Sequence, residues 1–214
     1  MTTAPWHRGV TVWLCTVLLA FGARAATGDP DLRLVQARQD PKLAQALQRQ
    51  GSKVAAFCAH CHGENGQSSK PDVPNLAGQQ PAYLLEQMRQ FADGRRRDGF
   101  MEGMIKAMSV DERVGVVLFY AAQTLPHRPA ADPALAARGQ QWYAKVCVRC
   151  HGADGRGDGK VPRIAGQQAL YLESTLARYR SGAGSRTDPL MAANTRLLDD
   201  SHIEALVAYV TSLK

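Results

Sequence analysis

Two short stretches of this sequence carry chemistry by residue type and spacing: Cys58-Ala59-His60-Cys61-His62 and Cys147-Val148-Arg149-Cys150-His151. Each reads C-x-x-C-H, a spacing in which two thiols can meet the two vinyl groups of one porphyrin edge and form thioethers. The histidine that follows is then held under the iron. The motifs therefore predict two covalently bound haem c groups, attached through Cys58, Cys61, Cys147 and Cys150, with His62 and His151 as iron ligands. Zinc sites and redox dithiols also use paired cysteines, but neither accounts for a histidine directly after both pairs. A disulfide across so short a loop would be redox-active rather than structural. His60 sits inside the first motif, yet Arg149 takes its place in the second, so it reads as a solvated loop residue.

Downstream of each motif runs a second matched stretch, VPNLAGQQ (73–80) and VPRIAGQQ (161–168). Pro74 lies 12 residues past His62 and Pro162 lies 11 past His151. A ligating histidine usually donates its other ring N–H to a carbonyl or carboxylate, which fixes the ring. Proline has no N–H of its own, so each can present a rigid carbonyl for that purpose. A plain turn proline is the alternative reading.

These matches belong to a repeat that extends over most of the chain. At a shift of 88 to 90 residues, Tyr83 meets Tyr171, Met101 meets Met191, and Phe119 meets Tyr209. A repeat of only two copies signals a duplicated domain rather than a solenoid. Apolar residues recur at helical spacing in YLLEQMRQFADG, DERVGVVLFYAAQ and their counterparts, with no sustained β-type alternation. Each copy reads as three or four short helices around a Gly- and Pro-rich loop. The first copy is placed at 51–123, a Pro/Ala-rich linker at 124–135, and the second copy at 136–214. Residues 26–50 form an extension with a helix at DPKLAQALQRQ. A domain this small has limited apolar surface to bury, so the porphyrin itself is expected to complete each core.

The first 25 residues read as a cleaved export signal: Arg8, an apolar run at 10–21, then Ala23-Arg24-Ala25. The run is too short for a comfortable membrane span, and Cys15 would leave with it. The net charge of +7 then falls by the two arginines lost, to +5. That is modestly basic, without the long Lys/Arg stripe and interleaved aromatics of a nucleic-acid binder. Peripheral association with a membrane surface remains compatible with it. Arg95-Arg96-Arg97 is the one dense cluster and reads as a solvated loop able to steer an acidic partner.

With CHGxxG, the P-x-[LI]-A-G-Q stretch followed by tyrosine, and a methionine eight residues before each last helix, residues 51–214 resemble the di-haem cytochrome c4 family. The resemblance implies an all-α fold of two tandem cytochrome c-like haem domains, His/Met coordination at both irons, and electron transfer in the bacterial periplasm. Given that coordination, Met191 is the only methionine of the second copy, and the repeat carries the choice back to Met101. Met104 and Met108 align with Asn194 and Leu198, so Met108 reads as core and Met104 as a rival or neighbour. Met88, Lys160 and His202 are lesser alternatives. Met/His ligation raises a haem potential and leaves no open position for a substrate, which argues for a carrier.

The expected function is thus a periplasmic carrier between a quinol-oxidising complex (a quinol-cytochrome c reductase) or a dehydrogenase and a terminal oxidase or reductase. A permanent di-haem subunit of a larger dehydrogenase, such as a flavocytochrome c, is the alternative. A di-haem peroxidase fits less well, because it needs an iron with a displaceable ligand and larger domains.

Overall fold

The computed structural model describes Met1 and residues 28–214. Residues 2–27, and with them nearly all of the expected export signal including Cys15, lie outside the described residues. The described chain is all-α, and no strand occurs among the described residues. None of its helices is long and apolar enough to cross a membrane.

Aspartate–proline pairs start four of the ten described helices, since the carboxylate accepts the first free N–H groups and proline has none to satisfy. Asp29 caps α1 (Pro30–Gln39), Asp40 caps α2 (Pro41–His62), Asp132 caps α6 (Pro133–Val146) and Asp188 caps α9 (Pro189–Thr195). Between them come α3 (Pro81–Ala92), α4 (Gly99–Ala107), α5 (Val110–Ala121), the short α7 (Val148–His151) and α8 (Ala169–Ser181), and α10 (Asp200–Ser212) closes the chain. Ser109 and Asp199 each cap the last helix of their copy through a reciprocal capping box.

Each copy is built on one close helix crossing. In the first, α2 and α5 meet at Gly51 and Gly115, where a Cβ on Gly51 would lie 1.9 Å from the carbonyl carbon of Gly115. In the second, α6 and α10 meet at Gly139, where a Cβ would lie 1.9 Å from the oxygen of Ala205. Around these crossings two apolar clusters assemble. One includes Leu47, Leu85, Val114, Val117 and Tyr120. The other includes Tyr143, Leu172, Leu198, Ile203 and Leu206.

The helix expected within 26–50 and the helix bearing the first C-x-x-C-H are one element, α2, so the boundary drawn at 50/51 falls inside it. The separate piece is α1. It buries Leu34 and Ala37 in the first cluster, and Arg33 grips Asp111 of α5 through two bonds of 2.7 and 2.9 Å. Asp31 pairs with Arg89 of α3. Residues 123–132 connect the copies without helix, and α6 begins inside the stretch expected as linker.

Candidate haem sites

Each C-x-x-C-H sits where a helix ends. In the first copy it is the last turn of α2, and in the second it spans the end of α6 and the short α7. All four cysteines are free thiols. Burial raises the Cys58 thiol and pushes Cys147 up to about 12. Gly63 and Gly152 turn the chain away directly after the histidines, with φ of 80° and 77°, a conformation that favours glycine.

Both imidazoles are buried and identically oriented. His62 Nδ1 lies 2.9 Å from the carbonyl oxygen of Pro74, and His151 Nδ1 lies 3.0 Å from that of Pro162. A carbonyl can only accept, so each Nδ1 carries the hydrogen and each Nε2 keeps a free lone pair. Burial lowers both histidines, against the Pro74 and Pro162 carbonyls that raise them. The neutral, metal-binding form is therefore favoured. Second bonds fix the loops that supply these carbonyls. The Gly66 oxygen accepts from Leu76 and Ala77 N at 2.7 and 3.1 Å, and the Gly155 oxygen accepts from Ile164 and Ala165 N at 2.7 and 3.0 Å.

The methionines are placed by capped helices. Asp98 accepts from Met101 N at 3.0 Å and Asp188 from Met191 N at 3.0 Å, so the two sulfurs occupy the same position on α4 and α9. Met88, Met104 and Met108 also reach the same cavity. Met108 packs against the first core cluster, as its counterpart Leu198 does in the second. Asn194, the counterpart of Met104, spends its amide on Leu190 O at 2.8 Å. His202 completes the cap of α10, lies against Trp142 with ring centroids 3.8 Å apart and stands outside the cavity wall, whereas the exposed Lys160 lines it.

One continuous cavity of about 1930 Å³ reaches both motifs, both proline loops, and Met101 and Met191. A single small-ligand site takes roughly 300–1,000 Å³, so this space holds two large groups. Paired free thiols, an unshared imidazole nitrogen beside each pair, and thioethers in the wall are a donor set that fits haem c.

The halves are tied together by residues that motif reading passed over. Gln79 accepts from Arg163 N at 2.7 Å and donates to Arg163 O at 2.8 Å. Gln167 does the same to Asn75, at 2.7 and 3.0 Å. Gln80 donates to Arg156 O at 3.0 Å, and Gln168 donates to Ser68 O. The sequence signal is the Gln-Gln that ends both matched stretches, VPNLAGQQ and VPRIAGQQ. The arginine cluster also differs from a solvated loop. Arg95 pairs with Glu86 and Asp93 outside, but Arg96 turns inward, over Phe91 and onto Gln87. The apolar ring and the amide there make a better partner for its flat guanidinium than water does.

The cytochrome c family model matches residues 48–115 and 136–214. Cytochrome c4 of Thiocapsa roseopersicina is 35% identical over 188 residues, covering 81% of this chain and 93% of the relative. The thiosulfate dehydrogenase electron acceptor of Thiomonas intermedia is 33% identical over 172 residues, covering 74% and 79%. Among solved structures, reduced recombinant cytochrome c4 from Pseudomonas stutzeri superposes with a TM-score of 0.70 at 30% identity, covering 77% of this chain and 97% of that one.

Proposed function

The chain belongs to the cytochrome c4 family, and on that footing we propose that it is a periplasmic carrier of electrons from a quinol-oxidising complex or a dehydrogenase to a terminal oxidase or reductase. It is a di-haem electron-transfer protein and not itself catalytic. Its cofactors are two covalently bound haem c groups, each of which supplies a one-electron ferric/ferrous couple when bound. Cys58 and Cys61 hold the first and Cys147 and Cys150 the second. His62 and His151 offer Nε2 to the irons, kept in line by the Pro74 and Pro162 carbonyls. Met101 and Met191 would supply thioether sulfur to the same irons, which would raise the potentials and suit a carrier rather than a substrate-binding site.

The observation that carries this reading is that both unshared imidazole nitrogens serve one common cavity. Two redox centres in one enclosure, without a substrate position, suit passage of electrons from one partner to another. A second reading is supported by the relative named as a thiosulfate dehydrogenase electron acceptor: the donor here is a dehydrogenase of that kind. The test is purification from the native source, followed by reduction assays with each donor class. A free carrier elutes as the single chain and is reduced at catalytic concentrations of its donor. Stable co-purification with a catalytic subunit would overturn the free-carrier reading.

A further inference from the structure

Several half-buried arginines of this fold, Arg96 and Arg186 among them, meet no carboxylate among the described residues. Arg33, Arg89, Arg95, Arg156 and Arg180 each meet a carboxylate. Arg96 and Arg186, half-buried in the wall of the shared cavity, meet none within 4.0 Å among the described residues. A buried charge ordinarily needs a counter-charge. These two are held by uncharged groups instead.

The two are also counterparts in the repeat, 90 residues apart, and their surroundings repeat with them. The Arg96 guanidinium lies over Phe91 at 4.5 Å and that of Arg186 over Tyr179 at 5.5 Å. Each then crosses to the other half. Arg186 donates to Tyr171 OH at 2.8 Å and to Tyr83 OH of the first copy. Arg96 donates to Gln87 at 2.7 Å and to Tyr171 OH of the second copy at 3.4 Å. Burial raises the Tyr171 phenol, but Arg186 and Arg96 outweigh it and bring it down to about 8. A phenol is nevertheless a weak acid and a poor counter-ion for two guanidiniums.

We propose that Arg96 and Arg186 form one carboxylate clamp at the domain junction, which takes propionate carboxylates of both porphyrins, so that each arginine tunes both haems. This rests on the di-haem reading above. A guanidinium favours the less positive, reduced iron, and its effect is large in a water-poor site.

The test is an optical redox titration of the holoprotein with haem content read by mass, comparing Arg186→Gln and Arg186→Lys with the parent chain. Arg186→Gln lowers both haem potentials, and Arg186→Lys, which keeps the charge, recovers most of the loss. A shift confined to one haem, or none with two haems retained, would overturn the clamp and leave the di-haem reading intact. A parent chain without two covalent haems would sink that reading instead. Should Arg186→Gln fail to accumulate, Arg96→Gln is titrated: lowered potentials at both haems support the clamp, and unchanged ones overturn it.

Discussion

A histidine whose Nδ1–H is spent on a proline carbonyl has a single direction left in which to bind. His62 and His151 are in that state, so on the proposed reading a second iron ligand would come from elsewhere in the cavity wall. Met101 and Met191 both sit in the first turn of an aspartate-capped helix, where the cap fixes the backbone and hence the sulfur's range. Met101→Ala should therefore abolish the sulfur-to-iron absorption band of one haem and lower its potential, while Met104→Leu leaves both intact. Visible spectroscopy with redox titration decides it, and loss of the band in Met104→Leu would move the ligand one turn along α4. At this scale much was readable in advance. The motif spacing located thiols and imidazoles, and the repeat separated Met101 from Met108. Arg96 was not readable, because the three arginines look alike in sequence and only the packed Phe91 and Gln87 tell the middle one apart.

Among the elements, the helix crossings are the most constrained. Gly51 and Gly139 admit no side chain because the facing atoms belong to another helix's backbone, which cannot rotate away. Gly139→Ala should cost about 1–3 kcal/mol or more, as overpacking does. Gly103 in α4 has nothing within 4 Å of a built Cβ and a helical backbone. Gly103→Ala should gain up to about 1 kcal/mol from helix propensity. Chemical denaturation of the holoprotein followed by circular dichroism measures both. The Asp-Pro pairs are a local capping signal, yet the linker expected at 124–135 runs past Asp132-Pro133, where α6 begins. The continuity of α2 across residue 50 was not legible, because nothing local marks the point where an extension ends and a domain begins.

As a whole molecule, the chain is two copies of one haem module facing each other across a junction that each half completes for the other. Gln79 and Gln167 bind the opposite copy's backbone reciprocally, and the cavity is shared. Cys147→Ala together with Cys150→Ala should yield a product carrying the mass of one haem. With half of the common cavity unfilled, that product should also unfold at lower denaturant concentration than the parent. Retention of two covalently attached haems would refute the attachment scheme. What the sequence by itself determined was the haem chemistry, the helical class and the duplication, because these are written in spacings of a few residues or in direct repetition. Only the tertiary structure decided that the repeated glutamines clasp the opposite half and that Arg96 and Arg186 face inward together. Those contacts join residues roughly 75 to 100 positions apart, and such a pairing acquires meaning only when the chain has packed and the cost of burying each polar group must be met by a particular neighbour.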